Sequence, residues 1–361
     1  MTMKPKTSNL LCPLVVLGTI IDPHVERVVS RIRSTGAQVY VLDYLEQTAI
    51  ALSTDIYGKP LLEVNGEEVA AQCLVWDRMK IIVGTRFYVN GDEATKGFAA
   101  HEWRALYTMM GGLNRDRVVN SLESRACRIK PYQQQIAGRC GFLVPPSIVT
   151  TSKDALLRFQ HSSCDRTIMK SLSGSKVTPA GEGEYSPYNV MTMKVAMTDI
   201  EEASEDEVAF CPHFMQHEIE KSHELRVVII GSRVIPFRIE SQESELTKVD
   251  WRKGARMRYF SKADISSELE TKILSFMRSM SLFTGSMDII VDCNGNNWFL
   301  ECNQDGAWAW LDDLCDGEIA DAFANELMKK MKQIDDLPRL ITDSGLPNSH
   351  SGLERKVECQ A

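Results

Sequence analysis

The sequence predicts a mixed α/β (α+β) protein. Three observations lead there: a β-α-β opening between residues 13 and 43, amphipathic helical stretches between short apolar runs, and paired strands with Gly turns toward the C-terminal end. Pro13 to Ile21 is apolar and reads as the first strand. Pro23 to Thr35 carries Val25, Val28, Val29 and Ile32 at helical spacing, and Gln38 to Asp43 follows as a second strand. Gly58 to Val69 reads as a small hairpin around Asn65-Gly66. Cys73 to Asp77 is another strand, and Ala99 to Met110 a helix that Gly111-Gly112 would end. A further helix is expected from Ser124 to Gly138, closed by Gly141.

From Pro145-Pro146 the pattern changes. Ser147 to Thr150 reads as a strand, Thr151-Ser152 caps a helix to about Gln160, and Thr167 to Leu172 is a strand. Ser171 to Pro187 is rich in Gly, Ser and Pro and reads as a mobile loop; the acidic run Asp199 to Glu207 reads as a solvated helix or turn. Glu224 to Ile230 and Arg233 to Ser241 are strands turned by Gly231-Ser232. Ile265 to Met280 and Ile319 to Met331 are amphipathic helices whose methionines fill a core. The polar tail after residue 335 is expected to be disordered. These shifts divide the chain into 1–123, 124–210, 211–335 and the tail 336–361.

At 361 residues the chain is long enough for two or three cores, with 43% hydrophobic and 25% charged residues. It has no long apolar stretch and no signal-peptide pattern, so a cytoplasmic protein is expected. A net charge of −8 disfavours a nucleic-acid partner. Ten scattered cysteines without a C-x-x-C pair fit free thiols. Cys211, His213 and His217 share a strand face, but zinc sites show tighter paired spacings.

The chemistry concentrates in Gly285 to Asn303, two strands joined at Cys293-Asn294-Gly295-Asn296. Side chains two apart on a strand share a face, so Glu301 and Asn303 stand beside Asp288. Three oxygen ligands on one face suit a hard divalent cation that keeps waters for phosphates; an edge hairpin with polar residues toward solvent is the other reading. The P-loop, G-x-G-x-x-G, G-x-S-x-G and H-E-x-x-H patterns are missing from the sequence. What remains is a series of cations, Lys130, Lys170, Arg226, Arg238 and Arg252. Each alone reads as a surface charge, but with the acidic hairpin they fit a nucleoside triphosphate site.

Taken in order, Lys130, Pro146-Ser147-Ile148-Val149-Thr150, Lys170, the Gly-rich loop, Gln216-His217-Glu218-Ile219, Glu224-Leu225-Arg226-Val227, Asp288 and Glu301-Cys302-Asn303 resemble the ATP-grasp superfamily. Within it, the chain is most similar to the ribosomal-peptide maturases that make graspetides such as microviridins. That likeness rests on Ile239-Glu240-Ser241-Gln242, Asp250-Trp251-Arg252, and Phe299 to Asn303 followed by Gly306-Ala307-Trp308. Val75-Trp76-Asp77-Arg78 is similar to a Val-Trp-Tyr-Arg segment of their N-terminal domain, so the resemblance covers roughly residues 13 to 335.

The resemblance implies an ATP-grasp fold behind an N-terminal pre-ATP-grasp βαβ domain, with ATP and Mg²⁺ as cofactors. It implies that Asp288, Glu301 and Asn303 hold magnesium, that Lys130 and Lys170 contact phosphates, and that Arg226, with Arg238 and Arg252, serves the reacting end. Gln216, His217, Glu218 and Ile219 would form the hinge against adenine, and Lys221 or Glu220 would reach the ribose. The implied reaction converts a carboxylate to an acyl phosphate, which a hydroxyl or amine then displaces; the Gly-rich loop is a candidate lid. The implied partner is a precursor peptide with leader and core, crosslinked between Asp or Glu and Ser, Thr or Lys, and the implied assembly is a homodimer. An amino-acid or glutamate-tail ligase of the ribosomal-protein-modifying type and a non-catalytic ATP-binding regulatory protein are the alternatives. Gln304 departs from a usual Pro, Ala307 from a usual Gln, and Asp305 adds a carboxylate near the expected metal.

Overall fold

The computed structural model describes residues 11–43, 45, 48–70, 72–78, 93–113, 117–121, 124, 128–164, 166–172, 176–177, 188–189, 191–254 and 260–336. The expectations for the N-terminus before Leu10, most of the Gly-rich loop and the tail after residue 336 lie outside them.

The chain opens with β1 (Leu14–Leu17), α1 (Pro23–Ser34) and β2 (Val39–Leu42). Asp22 caps α1 by accepting from the His24 amide, and Val25, Val28, Val29 and Ile32 form its buried face. An antiparallel meander follows, β3 (Ile50–Thr54), β4 (Pro60–Val64) and β5 (Glu67–Val69), turned at Asn65-Gly66 where both φ angles are positive. Strand β3 is not legible in the sequence. Next come β6 (Leu74–Asp77), α2 (Glu93–Leu113) and β7 (Val118–Val119), and the order β2-β1-β6-β7 makes a parallel sheet. Helix α2 runs through Gly111 and Gly112 instead of stopping at them. Tyr107 and Met110 just before are buried against the sheet, and that packing outweighs the weak helix propensity of glycine.

Ser124 is helical, but helix α3 (Lys130–Arg139) is not continuous with it, because Ile129 is extended and Pro131 is tolerated only in a first turn. Beyond it lie β8 (Ser147–Thr150), α4 (Lys153–Ser162), β9 (Thr167–Lys170), the short pair β10 (Lys176–Val177) and β11 (Tyr188–Asn189), and β12 (Met193–Val195). Ser152 caps α4 through the Ala155 amide at 3.3 Å. The acidic run becomes two short helices, α5 (Met197–Glu202) and α6 (Glu205–Ala209), divided by a Ser204–Glu207 capping box. Strand β13 (His213–His217) completes an antiparallel sheet of order β12-β9-β13-β8. Met215 and Val195 pack on one face against Leu156, Ile200 and Val208 of the helices. Ile168, Lys170 and Gln216 take the other face.

The last sheet is antiparallel throughout, β16-β15-β14-β17-β18. Its strands are β14 (His223–Ile230), β15 (Arg233–Ile239), β16 (Phe260–Lys262), β17 (Thr284–Val291) and β18 (Asn297–Asn303). Helix α7 (Ser267–Ser279) covers one face, where Leu225, Val227, Ile229, Met287 and Ile289 form a core with Ile273 and Phe276. On the opposite face Val228 and Ile230 pack under α9 (Glu318–Asp336), which follows α8 (Ala309–Asp312) and also touches α1 and the parallel sheet. That cover stops short of Glu224, Arg226, Ser286 and Asp288, so this end of the face is left for chemistry. Among the described residues no helix is long and apolar enough to cross a membrane.

Candidate active site

Two sheet faces look onto one cavity of about 290 Å³: the Lys170 face of the β12-β9-β13-β8 sheet and the Asp288 face of the five-stranded sheet. In the ladder Asp288 stands opposite Glu301, and Ser286 opposite Asn303. The register then shifts, so that Ile289 faces Phe299 and Leu300 is the extra residue of a β-bulge. Phe299 and Cys302 are three apart, and in an unbroken strand they would point to opposite faces. The bulge lets both enter the core under α7 while Leu300, Glu301 and Asn303 line the cavity.

Strand β18 is held from outside its sheet by Gln133. This side chain donates to the Cys302 carbonyl at 3.1 Å and accepts from the Cys302 amide at 2.8 Å, replacing a neighbouring strand. Nothing in the local sequence around Gln133 signals this long-range clamp. Burial pushes the Cys302 thiol up to about 12, and likewise those of Cys12 to about 12 and Cys73 to about 11. Alkylation of the native protein at neutral pH is therefore expected at the exposed Cys164, Cys211 and Cys293 and not at those three buried thiols, as peptide mass mapping would show.

Arg226 lies directly across from Asp288 on β14, its Nη1 2.9 Å from both carboxylate oxygens, and both side chains are buried. The structure thus places Arg226 behind the acid, away from the cavity wall. Burial raises the Asp288 carboxyl above the usual range; Arg226 opposes this and the neighbouring Glu301 charge adds to it. Two adjacent carboxylates, one of them desolvated, form a site that a divalent cation would relieve.

Facing them are three lysines. Lys130 Nζ is 3.5 Å from Glu301 and donates to the Ser171 carbonyl at 3.1 Å. Lys221 pairs with the buried Glu224 at 2.7 Å. Lys170 is lowered from its ordinary value, first by burial, while Glu301 and Glu224 counteract and Lys130 and Lys221 reinforce the shift. Glu224, noted in the sequence only as part of a motif, is a wall residue together with Thr192, Lys248 and Trp251.

Arg252 also lines the cavity, fixed by Asp250 through contacts from Nε at 2.7 Å and Nη2 at 2.5 Å. Arg238 is turned elsewhere, toward Glu240 and the His223 ring. Glu218 and Ile219 are on the wall. His217 instead packs in a tilted contact against Phe159, with ring centroids 4.8 Å apart, on the helix-covered side. Gln216 shares the strand face of Ile168 and Lys170 but is buried and does not line the cavity, and both its side-chain amide atoms lack a protein partner.

The residues fit a magnesium nucleotide. Two carboxylates and an amide leave coordination positions for waters and phosphates, and the lysines match the anionic charge. Among the described residues there is no group of three or more His, Cys, Asp or Glu placed to hold a metal. Asp305 lies outside this cavity: its carboxylate is 3.3 Å from Arg128, and it lines a second, much smaller cavity with Gln304.

No family model and no curated protein matches the chain. Solved structures do. A Chryseobacterium gregarium RiPP-associated ATP-grasp ligase, in complex with ADP and a leader and core peptide, is 25% identical, with a TM-score of 0.75 over 88% of this chain and 97% of that one. Macrocyclase MdnC from Microcystis aeruginosa, bound with precursor peptide MdnA, is 19% identical, with a TM-score of 0.71 over 88% and 99%. The ATP-grasp ligase PsnB, complexed with a phosphomimetic variant of its minimal precursor, Mg and ADP, is 22% identical, with a TM-score of 0.67 over 90% and 100%. The chain has the mixed α/β fold of the ATP-grasp ligases, and its structural neighbours are RiPP-associated members of that group.

Proposed function

We propose that this chain is an ATP-dependent, ADP-forming carboxylate ligase. It crosslinks a ribosomally made precursor peptide, joining Asp or Glu side chains to Ser, Thr or Lys side chains as esters or amides. The observation that carries the reading is the cavity itself, where Asp288, Glu301 and Asn303 on one sheet face Lys130, Lys170 and Lys221 in the fold of peptide-modifying ligases. Residues 124–210 then supply Lys130 and Lys170, residues 211–335 the metal face, residues 1–123 the supporting layer, and the assembly is a homodimer.

ATP, bound with Mg²⁺, supplies the activation that turns a peptide carboxylate into an acyl phosphate. The chain's part is electrostatic and positional. Lys130, Lys170 and Lys221 neutralise phosphate charge, and Asp288, Glu301 and Asn303 hold the metal, with Arg226 keeping Asp288 ionised and oriented. Gln216 and the Glu218-Ile219 backbone meet the base. Arg252, held by Asp250 at the cavity wall, is the cation that orients the peptide carboxylate. No protein nucleophile is needed, and Cys302, the thiol nearest the metal face, points into the core.

The test supplies ATP, Mg²⁺ and a short peptide encoded beside this gene that repeats Thr or Ser with Asp or Glu. Loss of one water per bond, with matching ADP release, is expected. Unchanged precursor mass beside an active control ligase would count against the reading. A mass gain would indicate the tail-ligase alternative, and ATP binding without turnover by both wild type and Glu301→Ala a non-catalytic protein.

A further inference from the structure

A buried polar relay in the N-terminal layer ends on the metal face. His24 Nε2 accepts from the Trp308 amide at 2.9 Å and the Ala309 amide at 3.1 Å, so the ring hydrogen sits on Nδ1, 2.5 Å from Asp22 Oδ1. The other Asp22 oxygen accepts from Arg78 Nε at 3.1 Å. Arg78 Nη1 then donates to the Asp305 carbonyl at 2.7 Å, and the Asp305 amide donates to Asn303 Oδ1 at 3.1 Å. Asp22, His24 and Arg78 are all at least nearly buried, and burial, which disfavours the Asp22 charge, is outweighed by His24 and Arg78.

Beside this relay lies a cavity of about 10 Å³, room for a single water. Arg78, Ser286 and Gln304 line it, and Arg78 Nη2, Ser286 Oγ and Gln304 Oε1 are buried there without a protein partner. Donor, hydroxyl and acceptor together match one water. Ser286 is the ladder partner of Asn303, and a Cβ at Gly306 would come within 2.1 Å of Ser286 Oγ, so the segment is packed too closely to drift.

We propose that Asp22, His24 and Arg78 are positioning residues that set the amide of Asn303 for a divalent cation, with one ordered water among Arg78, Ser286 and Gln304 completing the relay. This rests on the reading of Asn303 as a metal ligand. It also gives Gln304 a purpose: its Nε2 donates to the Ser124 carbonyl at 2.6 Å while Oε1 faces the water.

The test titrates Mn²⁺ as the probe cation into the ADP complex, reading free Mn²⁺ by electron paramagnetic resonance. ADP binding without metal and the melting temperature are measured alongside. Arg78→Met is expected to raise half-saturating Mn²⁺ by about 10-fold or more, the range for losing a partner of a metal ligand, with metal-free ADP binding unchanged. Asp22→Asn should move it the same way by less, and it decides the matter if Arg78→Met does not fold. A folded variant with unchanged Mn²⁺ binding overturns the relay, and a high-resolution crystal structure without that water overturns its last element. If Glu301→Ala also binds Mn²⁺ like wild type, the metal-site reading fails instead.

Discussion

Glu301→Ala is expected to lower ATP turnover by at least about 10²-fold, the upper end of what losing even an outer partner of a metal site costs. Glu301 faces the cavity opposite Asp288 and, unlike Asp288 with its arginine, is paired there only with Lys130. Its removal leaves a single acid and Asn303 to hold a hard cation, too few fixed oxygens to compete with water. It also frees Lys130, 3.5 Å away, so the lysine cluster becomes more positive. Nucleotide binding without metal should therefore persist or strengthen while turnover collapses. The stability change should stay below about 1 kcal/mol, because the lost pair is partly exposed and solvent-screened. Isothermal titration with ADP in chelator, next to an ADP-release assay with Mg²⁺, separates the two effects. Equal loss of metal-free ADP binding and turnover would argue that Glu301 serves the fold or the nucleotide rather than the metal.

The hairpin that carries Glu301 is legible because two local signals agree. Asn294-Gly295 supplies a turn, with Gly295 at φ +81, and polar residues recur at strand spacing around an apolar core face. The bulge at Leu300 is not legible, since it is decided by Phe299 and Cys302 competing for the core under α7, far away in sequence. The Gln133 clamp is hidden for the same reason, joining residues 169 apart. Helix α2 passes two glycines because of tertiary burial, and β3 is too weakly patterned to stand out. The ordered cations were visible as a set, but which of them reach the cavity depends on strand register. That register puts Arg226 opposite Asp288 and turns Arg238 to Glu240, whereas Lys130, Lys170 and Arg252 meet at the wall.

The Arg226–Asp288 pair gives the largest expected effect on stability. Asp288→Leu should cost about 3–5 kcal/mol, because it leaves Arg226 as an uncompensated charge in a buried strand. In the native chain Arg226 Nη1 is committed to both oxygens of Asp288, and its Nε is already buried without a partner. The nearby hydrophobic neighbours, Val227 and Met287, pack on the other face and offer it nothing. Removing both charges changes the balance, since replacing a buried ion pair by apolar groups of similar volume is often neutral or stabilising. Arg226→Met with Asp288→Leu should thus recover most of the loss, a coupling that a double-mutant cycle in guanidinium measures directly. If Asp288 is the metal ligand proposed above, turnover should be lost in the double variant as completely as in Asp288→Leu, since both remove the carboxylate. A double variant as unstable as Asp288→Leu alone would mean that Asp288 supports the strand by another route. Recovery of stability without recovery of turnover would place the pair where the register puts it, as the price of keeping a carboxylate ionised inside the sheet.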